Sequence, residues 1–278
     1  MSERSRFDEI GYWSEVKLDI LREYAAAYSA ILAKQQELYH VYIDGFAGAG
    51  IHIRKATGEF VLGSPVNALA VKPPFREFFL VDLDGDKAQH LKELTGQRPD
   101  VHVLHGDCNS VLVDEVFPKV RWDDYRRGLC VLDPYGLDLE WRVIQAAGHL
   151  RTIDLFLNFP IMDANRNALW HEPQRVAPEQ AARLTAHWGD ESWRQAAYRP
   201  KRQRSLFGEE IEKVENEAVA EAFRQRLRKV AGFANVPPPM PMRNQQGAVV
   251  YYLFFASQKD VANRIVRDIF RTHESRRA

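Results

Sequence analysis

The sequence predicts an α/β fold: a mostly parallel, seven-stranded sheet with helices on both faces, a terminal antiparallel hairpin and a helical insertion. Three observations predict it. Short apolar runs alternate with segments of helical spacing from residue 39 to residue 159, which is the rhythm of repeated βα units. Acids stand at or just beyond the ends of four of those runs, at Asp44, Asp82, Asp107 and Asp133, where a parallel sheet offers its carboxyl edge to ligands. Two more strand-like segments flank a turn at Asn244 to Gly247 near the end of the chain, which reads as a hairpin.

The composition is that of ordinary globular material. The 278 residues are 45% hydrophobic and 27% charged, enough for one domain, 1–278, with an insertion over 161–230. Lys+Arg 38 balances Asp+Glu 38, which argues against a general polyanion binder while leaving room for a local basic face. Two cysteines, Cys108 and Cys130, form neither a disulfide framework nor a zinc site and suggest a reducing compartment. No apolar run approaches the roughly 18 residues a membrane span needs, and Met1 to Glu9 lacks a signal peptide's apolar core. A cytoplasmic protein is expected.

Residues 12 to 36 read as a helix from the spacing of Val16, Ile20, Leu21, Tyr24, Tyr28, Ile31 and Leu32, with Ser14 as N-cap. Lys17, near its start, is either a solvated charge or a substrate contact. The central strand, Tyr39 to Ile43, ends in Asp44-Gly45-Phe46-Ala47-Gly48-Ala49-Gly50. Its glycines permit positive φ and let a ligand approach the backbone. A dinucleotide site would open a helix directly on the last glycine. Here Ile51 to Gly63 intervenes, a lid or a long connection, and only then do Ser64-Pro65 open a helix through about Val71.

The next units repeat the pattern. Glu77 to Val81 is a strand, Asp82 is placed to accept from ribose hydroxyls, and Asp84 caps a helix to Leu94. Val101 to Leu104 leads to Asp107-Cys108, where the acid can bind an exocyclic amino group and the next N–H an adenine nitrogen. Gly128 to Leu132 delivers Asp133-Pro134-Tyr135-Gly136: an acceptor at a strand edge, a stiff turn and an aromatic stacking face. A carboxylate that binds an amino group keeps its lone pair free for attack on an electrophilic carbon, so positioning and electrostatics suffice. The competing reading is a structural Asp-Pro turn. A helix over Glu140 to His149 and a strand over Ile153 to Phe159 follow, with Asn158 either a satisfied buried amide or a substrate anchor.

From Ile161 to Val230 the β rhythm stops. Arg194, Arg199, Lys201, Arg202 and Arg204 alternate with Trp193, Tyr198 and Phe207, a pattern that suits a phosphate backbone with stackable bases or a solvated loop; Glu209 to Val230 reads as a helix. Met240 to Arg243 and Ala248 to Ala256 form the hairpin, and Lys259 to Phe270 a closing helix.

This order of motifs resembles the class I S-adenosylmethionine-dependent methyltransferases, a Rossmann-like fold. Asp44 to Gly50 resembles their glycine-rich cofactor motif, and Asp133-Pro134-Tyr135-Gly136 the Asp-Pro-Pro-Tyr motif of amino-methyltransferases, with one proline fewer. More narrowly, Tyr12 to Leu18, the Phe-Ala-Gly-Ala-Gly turn, Gly63-Ser64-Pro65, Leu132 to Gly136, Asn158-Phe159-Pro160 and Tyr251 to Ala256 together resemble the three-Cys-motif partner proteins, over about residues 7 to 270. The resemblance implies S-adenosyl-L-methionine as cofactor, with its methionine end near Asp44, Gly45, Phe46, Ala47, Gly48 and Gly50, its ribose at Asp82 and its adenine at Asp107 and Cys108. It implies catalysis at Asp133, Pro134 and Tyr135, and a three-Cys-motif radical-SAM-like partner. The resulting expectation is methyl transfer to an amino nitrogen, of a nucleobase in DNA or RNA, with Lys17, Asn158, Arg199, Lys201 and Arg202 as substrate contacts. The alternative is a non-catalytic or differently catalytic subunit that keeps the nucleotide fold to dock another enzyme.

Overall fold

The computed structural model describes residues 7–200 and 211–275. Seven strands form the main sheet: β1 (Tyr39–Asp44), β2 (Glu77–Asp82), β3 (Val101–His105), β4 (Arg126–Leu132), β5 (Ile153–Phe159), β6 (Met240–Arg243) and β7 (Val249–Ala256). Their spatial order is β6, β7, β5, β4, β1, β2, β3. The pairs β1/β2, β1/β4, β2/β3 and β4/β5 are parallel, and β7 is antiparallel to both β5 and β6. Only β7 is therefore reversed. The sheet switches direction of growth at β1, between β2 and β4, which is where open α/β sheets leave a crevice at their carboxyl edge.

The near-continuous apolar runs follow from burial on both faces. Val41, Ile43, Phe79, Val81, Cys130 and Leu132 point to one side, under helices that include Trp141–Leu150, Pro178–Trp188 and Asn216–Lys229. Tyr42, Phe78, Leu80, Leu129, Val131 and Phe156 point to the other, under Tyr12–Leu32, Ser64–Leu69 and Asp260–Ser275. The insertion packs on the first face: the Phe223 ring lies 4.6 Å from that of Phe159 and 5.3 Å from that of Phe254. No helix among the described residues is long and apolar enough to cross a membrane.

Several local expectations are corrected. The first helix ends at Leu32 and has Gly11 as N-cap with no side-chain cap, so Ser14 lies inside the helix. At the next helix the cap is Gly63, because the Ser64 hydroxyl is committed to Asp44 at 2.6 Å. Residues 51–63 are not an open loop. Ile51–Arg54 pairs antiparallel with Phe60–Leu62, and Glu9–Ile10 adds to Ile51–Arg54 in parallel; the alternating character of the stretch was a strand signal. The insertion also contains a short ribbon, Tyr198–Pro200 with Ile211–Lys213, and its last helix starts only at Asn216.

Candidate active site

The turn after β1 is pinned by both neighbouring strands. The Gly45 N–H donates to the Val131 carbonyl at 3.0 Å and the Ala47 N–H to the Val81 carbonyl at 2.9 Å. Asp44 is fully buried beneath it and accepts from the Ser64 and Tyr42 hydroxyls and the Phe46 N–H. Burial pushes its pKa up to about 6, against the hydrogen bonds from Ser64 and Phe46. Gly48, at φ 64°, has no atom within 4 Å of where a Cβ would stand, so this stretch of backbone is open to a ligand. Gly50 is the opposite case. At φ 81°, a Cβ there would come within 2.9 Å of Leu91, which fixes the turn against the helix Gly85–Thr95.

Asp82 joins the turn to β2. Its Oδ2 accepts from the Gly48 N–H at 2.7 Å and its Oδ1 from the Asp84 N–H at 2.8 Å. Asp84 caps the following helix, as its sequence position predicts, accepting from the Asp86 and Lys87 N–H groups. Asp107 is exposed and caps the short helix Cys108–Val111, accepting from the N–H and side-chain amide of Asn109. That amide also donates to the Asp138 carbonyl, which ties the end of β3 to the loop after β4. The Cys108 thiol is buried and its pKa is pushed up to about 12 by that burial, so it is no nucleophile.

One cavity of about 240 Å³ opens between the turn, the end of β4 and the first helix. Lys17, Phe46, Gly48, Asp133, Pro134, Tyr135 and Asn158, all singled out from sequence, line it together. Lys17 is ion-paired with Asp133 Oδ2. The Asn158 amide donates to Asp133 Oδ1 at 3.0 Å, while its own Oδ1 is buried without a partner. The Tyr135 ring is 72% exposed, and the Lys87 ammonium lies over it, 5.4 Å from its centre. Its hydroxyl donates to Asp8 at 2.5 Å, and Asp8 also accepts from Lys87 at 2.8 Å.

Sequence reasoning missed Asp8 and His52. Asp8 precedes the strand Glu9–Ile10, and it bridges the end of β4 to the helix after β2 by way of Tyr135 and Lys87. His52 faces the cavity from the hairpin. Its Nδ1 is buried and unpartnered, and burial, with the Lys17 charge, pulls its pKa down and keeps the imidazole neutral. The signal for His52 was present, since an alternating segment beside a glycine-rich turn places every second side chain on one face.

Other singled-out residues lie elsewhere. Asp44, Gly45, Ala47 and Gly50 shape the turn without lining the cavity, and Asp82 holds the cavity-lining Gly48; Asp107 and Cys108 stand beside β3. Arg199 is on the ribbon, paired with Glu212 at 2.7 Å. Lys201 and Arg202 lie outside the described residues.

A sheet of this order, with its one reversed strand and a glycine-rich turn after the switch-point strand, is the Rossmann-like fold of the class I methyltransferases. No family model matches the chain, and no curated protein matches it. Among solved structures it is similar to protein LPL1258 of Legionella pneumophila, at 12% identity and a TM-score of 0.50, over 92% of each chain. It also matches a putative methyltransferase of Thermobifida fusca at 14% identity and a TM-score of 0.41, covering 86% of this chain and 80% of that one. A third match is a putative S-adenosylmethionine-dependent methyltransferase of Listeria monocytogenes, at 14% identity and a TM-score of 0.41, covering 84% and 98%. The first likeness is one of fold alone, and the other two are weaker still.

Proposed function

We propose that this protein is an S-adenosylmethionine-dependent methyltransferase acting on an amino nitrogen of a nucleobase in DNA or RNA. The observation that carries the reading is the meeting, at one carboxyl edge, of an open Gly48 backbone, Asp82 beside it and Asp133-Pro134-Tyr135 across a single cavity. The chain's own groups fit the cofactor. Gly48 presents backbone where a side chain would intrude, Asp82 stands at the end of the second strand, and Asn158 Oδ1 is an unpaired acceptor on the cavity wall.

When bound, S-adenosylmethionine supplies an electrophilic methyl group. The protein's task is then to hold the acceptor. Asp133 accepts from an amino N–H of the substrate, which leaves the nitrogen lone pair free, and the exposed Tyr135 ring stacks on a planar base. Lys17 and Asn158 fix the carboxylate's orientation. Neutral His52 stands ready to take the proton released once the nitrogen is methylated. The test is transfer of labelled methyl from S-adenosylmethionine to mixed DNA and RNA. Transfer that Asp133→Ala abolishes is expected; transfer that survives it would refute this role.

One observation favours a second reading, a subunit that docks another enzyme, such as a three-Cys-motif radical-SAM-like protein. Asp133 already holds Lys17 and Asn158, and Tyr135 is tied to Asp8. Co-purification with such a partner, and no methyl transfer with or without it, would decide for this alternative.

A further inference from the structure

A second cavity, of about 190 Å³, lies at the opposite edge of the sheet, where β4 and β5 begin and β7 ends. It sits between the carboxyl half of the helix Tyr12–Leu32 and the amino half of Asp260–Ser275. Its walls are apolar, with Tyr24, Tyr28, Leu32 and Ile265 prominent. One acid faces it, Asp154, but both its oxygens already accept, from the Tyr24 and Ser257 hydroxyls.

The rim has a different character. Arg127, Arg151 and Lys259 surround it, and among the described residues none of the three is ion-paired with a carboxylate. Arg127 and Lys259 lie over the Trp122 ring, 3.8 and 5.4 Å from its centre, and that ring is 51% exposed. Arg151 takes a left-handed conformation, φ 59°, at the end of the helix Trp141–Leu150. Glycine is the usual occupant of such a position, so a guanidinium is held there against local preference.

We propose that this cavity binds a small monocarboxylate with an aromatic or branched apolar body. The body fills the apolar interior and the carboxylate meets the cations of the rim. A dry engineered cavity of about 150 Å³ holds benzene, so this volume suits a ring with a short tail. Burying such a body is favourable at about 25 cal/mol per Å², and arginine binds carboxylates in a two-point geometry. An anion drawn deeper would face Asp154, which keeps the head at the mouth. The inference is independent of methyl transfer.

The test is isothermal titration of the full chain with 3-phenylpropanoate and, separately, with 3-phenylpropylamine. The acid is expected to bind at least tenfold tighter than the amine. Reversal of two exposed rim charges, Arg151→Glu with Lys259→Glu, should weaken the acid at least tenfold in a chain that circular dichroism shows to be folded. Ile265→Trp, which fills the interior, should abolish binding; if that variant does not fold, the charge reversal decides. Equal affinity for acid and amine, affinity untouched by charge reversal, or no saturable binding of the acid overturns the proposal.

Discussion

Lys17 and Asp133, 116 residues apart in the chain, form an ion pair on the wall of the candidate active site. The lysine side chain is 9% exposed and the carboxylate 30%, so the two are not equally dependent on each other. Removing one partner of a buried pair strands the other. Asp133→Ala is therefore expected to destabilise the fold by about 2–3 kcal/mol, somewhat below the fully buried case. Lys17→Met, which leaves Asp133 with water and Asn158, should cost about 1 kcal/mol. Urea unfolding of both single variants and the double variant measures this; equal costs would contradict the assigned asymmetry.

Asp44 makes stability depend on pH in an unusual direction for an acid. Its folded pKa is about 6 against 3.8 for the free group, so the native state binds the proton more tightly. The contribution is fully present below pH 3.8 and is lost as pH rises through about 6. A difference of that size corresponds to about 3 kcal/mol. Relative to Asp44→Asn, the wild type should lose about that much between pH 4 and pH 7. A pH-independent difference between the two would count against the buried carboxyl.

His187 works in the opposite sense. It is fully buried, bonded to the Leu139 carbonyl and stacked on Phe223, and burial pulls its pKa down to about 4. Its contribution is present above pH 6.5 and is lost as pH falls through about 4. His187→Gln should weaken the fold at pH 7 and reduce its sensitivity to acid, read from unfolding midpoints at pH 4, 5, 6 and 7. An unchanged acid sensitivity would reject this.

Gly50 combines a positive φ with close neighbours. Gly50→Ala would combine a positive φ with contacts of 2.9 Å to Leu91 and 3.0 Å to Leu94, at a cost of about 2 kcal/mol. Gly48→Ala, with open space around it, should cost only about 1 kcal/mol and act mainly on ligand affinity. Thermal melts with and without ligand separate the two effects, and similar outcomes for both glycines would contradict these assignments.

The sheet was legible because its signals are local. β1, β2, β4 and β5 are short, mostly apolar runs buried on both faces, and acids stand at or just beyond the carboxyl ends of β1, β2 and β4. Lys17, Asp133 and Asn158 were singled out one by one, but their mutual contacts depend on register across three elements. Asp8 could not be told from a solvated charge until Glu9–Ile10 joined the hairpin. That hairpin was obscured by its short strands and by outward-facing Phe60 and Leu62, 68% and 50% exposed. Arg199 looked free in sequence because Glu212, its partner, lies across the ribbon.

The most direct measurement is isothermal titration of the folded chain with S-adenosylhomocysteine, beside the Asp82→Ala variant. The account requires saturable binding of one molecule per chain, weakened at least tenfold when Asp82 releases Gly48. Absence of binding to the well-folded wild type, or undiminished binding in the variant, would contradict it.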